Sequence, residues 1–141
     1  MKKRVLASLV LLAFASAGAA FAQSPTAKAP LDGNWETPGG GTTIRISGNT
    51  AVFNWIDANP LLEDAVNKGY VKLGDQYWRN IKSAGNLKWT MQELVVTYNT
   101  RSPDVATGIK WSNVTYTMSA NGQTLSRNGR VVWEKERVFV N

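Results

Sequence analysis

The fold is decided by the stretch LKWTMQELVVTYNTRSPDVATGIKWSNVTYTMS, residues 87–119. Its two runs, 87–98 and 109–119, are rich in β-branched and aromatic residues and alternate apolar with polar side chains, which is typical of β-strands. In each run the apolar residues occupy odd positions at first and even positions afterwards. Because successive side chains of a strand point to opposite faces, this switch indicates either a β-bulge or a strand that passes from one covered face to another. Both arrangements allow a sheet to coil and close on itself.

The rest of the chain from residue 31 onward continues the pattern of short strands and tight turns. Gly-Asn, Gly-Asp and Asn-Gly pairs, which tolerate the positive φ of hairpin turns, separate the runs. The predicted strands are 33–37, 42–47, 50–56, 70–73, 76–82, 87–98, 109–119, 123–126 and 130–140. Pro60 at a helix start and Gly69 at a helix end predict one short helix near 60–68. The sequence therefore predicts an all-β fold, an antiparallel meander that closes into an eight- or nine-stranded barrel.

The N-terminus has the three parts of a secretory signal peptide. Lys2, Lys3 and Arg4 form a positive region, residues 5–20 are mainly apolar, and Ala20-Phe21-Ala22 is a cleavage site of the small-x-small type. We expect a signal peptide at 1–22, a disordered leader at 23–30 and one domain at 31–141. This predicts a bacterial protein exported to the periplasm or secreted, with no transmembrane segment after cleavage.

Charge and composition exclude several classes of function. The full chain carries a net charge of +6, half of which belongs to the signal peptide, so we expect no nucleic-acid partner. The chain contains no Cys and no His, which excludes disulfides, thiol nucleophiles and imidazole-based triads and removes the commonest zinc ligand. We expect no metal and no cofactor.

Paired carboxylates are the remaining route to acid–base chemistry. Glu134 and Glu136 share a strand face opposite Trp133, and Glu63 and Asp64 belong to the first turn of the predicted helix. Both pairs are expected to lie in solvent. No acidic residue is predicted to face the barrel interior, and no residue is predicted to be catalytic.

The first strand of the domain contains Gly33-Asn34-Trp35 and the chain later contains a hairpin over 117–125. In these two features it resembles small bacterial lipocalin-like (calycin-type) β-barrels; avidin-like barrels also open with a similar motif. In lipocalin-like proteins the Trp plugs one end of the barrel and packs against a basic side chain from the last strand. The resemblance thus implies that Trp35 and Arg137 close the barrel, and that the barrel holds a ligand.

The aromatic residues supply the candidate ligand site. Stacked indole and phenol rings suit an apolar or aromatic ligand. The alternative is that the rings fill the core or cover the outside of the sheet as cross-strand pairs. The candidate ligand-binding residues are Trp55, Trp78, Trp89, Trp111, Tyr98 and Tyr116.

Two functions follow as hypotheses. The first is a protein that binds a small apolar or aromatic molecule in or at the mouth of the barrel, with the loop 99–108 as a candidate rim. The second is a cell-envelope interaction module that binds a protein or glycan through exposed aromatic residues, without a cavity.

Overall fold

The computed structural model describes residues 30–57 and 60–137. Eight antiparallel strands follow one another in sequence order and close into a barrel through the pairing of the first strand with the last. The predicted all-β barrel is therefore confirmed. The predicted signal peptide and all but the last residue of the predicted leader lie outside the described residues.

Apart from the predicted strand at 70–73, the elements agree with the predicted ones except at a few boundaries. The strands are β1 Gly33–Glu36, β2 Thr43–Ser47, β3 Thr50–Trp55, β4 Gln76–Ser83, β5 Lys88–Tyr98, β6 Ala106–Met118, β7 Thr124–Arg127 and β8 Arg130–Lys135, and the helix is α1 Pro60–Asn67. The predicted helix is confirmed. β6 begins three residues before the predicted position 109, which shortens the β5–β6 loop to 99–105. The last predicted strand ends early at Lys135, and residues 138–140 lie outside the described part of the chain.

The predicted strand at 70–73 is wrong. The Lys72 N–H donates to the Asp75 carboxylate at 3.0 Å, and the Asp75 N–H donates to the Lys72 carbonyl at 3.1 Å. These two bonds close a turn over Gly74, whose φ of 84° favours glycine. These bonds hold residues 70–73 in a turn, while the Gly74 N–H and the Asp75 carbonyl that follow bond to Phe53 of β3, so the barrel has eight strands.

In β5 and β6 the apolar residues pass from odd to even positions, yet the register between the two strands does not break there. The two strands pair continuously from Lys88 opposite Thr117 to Thr97 opposite Gly108, and a shift follows only at Tyr98. β4 pairs with β5 only as far as Glu93, which lies opposite Trp78. Beyond that point β5 and β6 continue as a two-stranded ribbon, in which Leu94 of β5 is buried and Val96 half-buried, whereas Ile109 of β6 is 45 % exposed. In β5 the switch is therefore the second of the two predicted arrangements, a passage between covered faces.

One short strand explains the Gly-x-Trp motif. Gly33 has a φ of 131°, and a Cβ on it would lie 3.5 Å from Cε of Lys135. Trp35 is fully buried, and its Nε1 donates to the Leu31 carbonyl at 2.8 Å. Lys135 Nζ lies 5.5 Å from the centroid of the Trp35 ring. The predicted partner Arg137 is exposed beyond the end of β8. The resemblance therefore indicated the wrong residue, because the register places Lys135 opposite Trp35.

The helix α1 is attached to the first residue of β6 by both backbone groups of that residue. Asp64 Oδ2 accepts a hydrogen bond from the Ala106 N–H at 2.7 Å, and Lys68 Nζ donates to the Ala106 carbonyl at 3.0 Å. Asp64 and Lys68 also form a 2.7 Å ion pair one helical turn apart. We call these three residues the α1 clamp. Within the described residues, no helix has the length and apolar character needed to cross a membrane.

Candidate functional site

A cavity of about 540 Å³ lies at the end of the barrel where β1, β3 and β5 end. We call this end the mouth. The β1–β2 loop, the segment after β3, the helix α1, the ribbon of β5 and the upper part of β8 surround the cavity. These elements meet here because every connection at this end except the β7–β8 turn is longer than a tight turn.

The walls of the cavity are mainly aliphatic. Leu62 comes from α1, Val71 from the turn before β4, and Leu94 and Val96 from the ribbon of β5. Leu94 and Val96 belong to the even set whose parity differs from the first half of the strand. The face change in β5 therefore places apolar side chains around the mouth rather than in the lower core.

The floor of the cavity is aromatic. The rings of Phe53 and Tyr77 are 4.8 Å apart, and those of Tyr77 and Trp133 are 5.6 Å apart. The register between β3 and β4 shifts so that Trp78 pairs with Ala51 and Gln76 with Val52. Tyr77 is left in a bulge, which explains how it and its neighbour Trp78 both reach the interior, with ring centroids 5.5 Å apart.

A buried carboxylate lies beneath these rings. Glu93 is 5 % exposed and lines the cavity. Its Oε2 accepts hydrogen bonds from Trp78 Nε1 at 2.9 Å and from the Tyr116 hydroxyl at 2.6 Å. Its Oε1 accepts one from Arg127 at 3.0 Å, which is also an ion pair. The charge is thus both hydrogen-bonded and paired, as a buried carboxylate requires.

The two tyrosines near Glu93 are held in the neutral form. Burial raises the pKa of Tyr116, and the neighbouring negative charge of Glu93 raises it further. Burial and Glu93 likewise raise the pKa of Tyr77 well above its ordinary value. Both phenols therefore remain protonated through neutral and moderately alkaline pH, and the Tyr116 hydroxyl uses its proton in the hydrogen bond to Glu93.

Trp133 has the least satisfied polar atom of the cluster. Its Nε1 is buried and has no hydrogen-bond partner of normal geometry within the described residues. It lies near enough to the Tyr116 hydroxyl to oppose part of the rise in the Tyr116 pKa. This contact is a weak, poorly aligned polar interaction and not a hydrogen bond.

The six predicted ligand-binding residues are dispersed over the barrel. Tyr98 lines the cavity, whereas Trp78 and Tyr116 are buried beneath it as hydrogen-bond donors to Glu93. Trp55 is 59 % exposed. The remaining two, Trp89 and Trp111, are half-buried and do not line the cavity, and Trp111 packs against the Arg79 guanidinium at 4.1 Å.

Sequence reasoning missed Glu93, Tyr77, Phe53 and Trp133. The prediction that no acid faces inward is wrong for Glu93. Its odd position continues the series of Trp89 and Met91, so the alternation itself contained the signal. Tyr77 could not be found in this way, because a bulge reverses its face.

The acid pairs that the sequence offered are not part of the cavity. Glu134 and Glu63 are exposed, and Asp64 belongs to the α1 clamp. Among residues 30–57 and 60–137, no group of three acidic side chains is close enough to hold a metal ion. The two carboxylates of the cavity lining are Glu93 on the floor and Asp57 at the rim.

A second concavity lies on the outer face of the sheet. Its volume is about 520 Å³, and its lining is polar, with amide and hydroxyl side chains from β4, β5 and β6. Gln92 accepts a 2.7 Å hydrogen bond from Arg79 beside it.

No family model, no curated protein and no solved structure matches this chain. The choice between the two concavities therefore depends on their geometry and chemistry.

Proposed function

We propose that this protein binds a small, largely apolar molecule in the cavity at the mouth of the barrel. The observation that carries the proposal is a cavity with aliphatic walls, an aromatic floor and only a few polar groups. Ligand sites in proteins have this composition, since apolar contacts supply affinity and a few polar groups fix orientation.

The size of the cavity supports a small ligand. Sites for drug-sized molecules typically have volumes of roughly 300–1,000 Å³, and this cavity has about 540 Å³. The lower part of the barrel, in contrast, is filled by side chains such as Trp35, Ile46 and Leu125, which are at most 1 % exposed. The ligand is therefore proposed to lie at the mouth and not along the whole barrel axis.

Export and a lipocalin-like relationship are part of the proposal. The signal-like residues 1–22 support export to the periplasm or beyond, and the Gly33–Trp35 motif with an eight-stranded barrel supports the relationship. We test export by N-terminal sequencing of the protein recovered from the periplasm. A mature N-terminus at Gln23 supports it, and an intact Met1 in the cytoplasm contradicts it.

The alternative function is recognition of a protein or glycan on the outside of the barrel. It is favoured by the exposed Trp55 and by the polar outer concavity next to Trp111 and Arg79. Indole rings beside amide groups suit a flat polar partner. This alternative requires no cavity.

A matched pair of variants distinguishes the two functions. Val96 lines the cavity, whereas Val105 is 40 % exposed in the β5–β6 loop and does not line it. Val96→Trp fills part of the cavity, so we expect it to weaken binding of an environment-sensitive apolar probe about tenfold or more. Val105→Trp makes the same chemical change and should leave probe binding intact.

The outcome decides between the sites. Equal probe affinity in the wild type and both variants contradicts binding in the cavity. If Trp55→Ala instead abolishes capture of a partner while Val96→Trp has no effect, the outer surface is the functional one.

A further inference from the structure

We propose that the ligand is an amphiphile with a quaternary ammonium group, and that this cation lies on the cavity floor against the Tyr77 ring. The inference rests on the binding function proposed above and specifies its ligand. Three features of the cavity support it: the charges of the lining, the arrangement of the rings and the hydrogen bonds that the Glu93 carboxylate already accepts.

The charged residues of the lining are both acidic. Asp57 at the rim and Glu93 on the floor line the cavity, and no Lys or Arg is among the described residues that do so. Arg127 offsets the charge of Glu93 from outside the lining, whereas Asp57 makes no ion pair within the described residues. The charges around the cavity therefore remain negative in sum. An anionic head group is disfavoured, and a cationic one is attracted.

The floor of the cavity is lined by three aromatic side chains. Phe53 and Trp133 flank Tyr77 at 4.8 and 5.6 Å, and Tyr77 is the most accessible of the three because it is only half-buried. The face of an aromatic ring carries negative potential and attracts a cation placed within about 6 Å of its centroid. Because the three rings are in contact with one another, the cation is placed against the accessible Tyr77 ring and not between the rings.

The Glu93 carboxylate favours a cation without N–H donors. Oε2 already accepts two hydrogen bonds, from Trp78 and Tyr116, and Oε1 accepts one from Arg127. A carboxylate has about four lone-pair sites, so few remain for a ligand. A primary ammonium would leave N–H groups unsatisfied in this place, whereas a quaternary ammonium has none to satisfy.

The walls suit the rest of such a ligand. Leu62, Val71, Leu94 and Val96 provide apolar surface between the floor and the rim. An alkyl chain attached to the ammonium would lie along these side chains and be removed from water. The polar rim with Thr37 and Asp57 then remains in contact with solvent at the opening.

The experiment is competition for the cavity by ligands that differ only in their head group. A neutral fluorescent probe is first bound to the wild-type protein. Its displacement is then measured with four compounds, each below its micelle-forming concentration: dodecyltrimethylammonium, dodecylammonium, dodecanol and dodecanoate. We expect the trimethylammonium compound to bind about tenfold more tightly than the alcohol, and the carboxylate to bind most weakly. The primary ammonium should fall between the trimethylammonium compound and the alcohol.

Variants locate the cation. Tyr77→Leu keeps an apolar side chain but removes the most accessible ring, so it should abolish the preference for trimethylammonium while dodecanol still binds. Asp57→Asn should reduce the preference to a smaller extent because Asp57 is exposed at the rim. Asp104→Asn, an identical change in the exposed β5–β6 loop, is the matched control and should have no effect.

The possible failures are distinguishable. If all four compounds bind equally, or the carboxylate binds most tightly, the ammonium inference is overturned and the binding function stands. If Tyr77→Leu retains the full trimethylammonium preference, the cation does not lie on the floor and the inference is again overturned. If neither the probe nor any compound binds, both proposals are overturned.

Discussion

The two ends of the barrel differ in how the chain connects its strands. At one end, which we call the turn end, β2–β3, β4–β5 and β6–β7 are joined by short turns such as Gly48-Asn49, and Trp35 bonds to Leu31 where the chain enters β1. At the mouth, longer connections carry α1 and extend β5 and β6 into the ribbon. The turn end is closed by packing and by this hydrogen bond, whereas the mouth encloses a cavity with a buried charge.

This difference separates stability from binding. Apolar side chains in a filled barrel stabilise the fold in proportion to the surface that they remove from water. A cavity gives up part of this stabilisation, and a buried carboxylate adds a desolvation cost that its partners must offset. The turn end therefore has to supply much of the stability that the mouth does not.

The largest expected effect is that of Trp35→Ala. The indole is fully buried at the turn end, so its removal should lower the free energy of unfolding by about 3–5 kcal/mol. The affinity of the remaining folded protein for an apolar probe should not change, because Trp35 does not line the cavity. Urea unfolding and probe titration measure the two quantities separately.

Trp55→Ala is the control for this prediction. The Trp55 side chain is 59 % exposed, and its loss should change the free energy of unfolding by less than about 1 kcal/mol. If Trp35→Ala were as harmless as Trp55→Ala, or weakened probe binding at constant stability, the division between the two ends would be wrong.

A smaller effect is expected from Glu93→Leu at the mouth. The change leaves the buried donors of Trp78 and Tyr116 without an acceptor, which should cost about 3 kcal/mol of unfolding free energy. Arg127 contributes less to this loss because its side chain is 42 % exposed and water can solvate it. Glu134→Leu, on an exposed position of β8, is the matched control.

A second substitution sharpens this result. Tyr116→Phe removes one of the orphaned donors, so the double variant Glu93→Leu/Tyr116→Phe should be more stable than the sum of the two single effects predicts. Strict additivity would show that the hydrogen bond between the two side chains is not the source of the loss.

The sequence predicted the turn end better than the mouth. Alternation and turn residues are local signals, and they located the strands and also the helix at the mouth, whereas the lipocalin-like resemblance indicated Trp35. The mouth depends on distant contacts: Tyr77 faces inward because of a bulge, and Leu94 is covered by elements that lie far away in sequence. Lys135 replaced Arg137 beside Trp35 because strand register is a property of two strands together. The alternation of apolar and polar residues along β5 would have predicted that Glu93 faces inward. An acidic residue, however, contradicts the expectation of an apolar interior.

The smallest expected effect concerns the α1 clamp, which attaches the helix to the rim of the mouth. Lys68 and the Ala106 N–H hold the pKa of Asp64 below its ordinary value. A carboxylate whose pKa is lower in the folded protein stabilises the fold above its unfolded pKa, and this contribution is lost as the pH falls through the folded pKa. Acidification should therefore loosen α1 before it affects the turn end. Asp64→Asn should reproduce the effect at neutral pH.

Hydrogen exchange of the backbone amides measures this directly, because local opening is reported residue by residue. In Asp64→Asn, amides of α1 and Ala106 should exchange faster, while those of Trp35 and Ile44 at β1 and β2 keep their protection. Glu63→Gln is the control, since the exposed Glu63 belongs to the same helix but not to the clamp. Since Leu62 on α1 lines the cavity, the same variant should release a bound probe faster. Uniformly faster exchange at both ends would mean that the mouth and the turn end open together and that the helix is not attached separately.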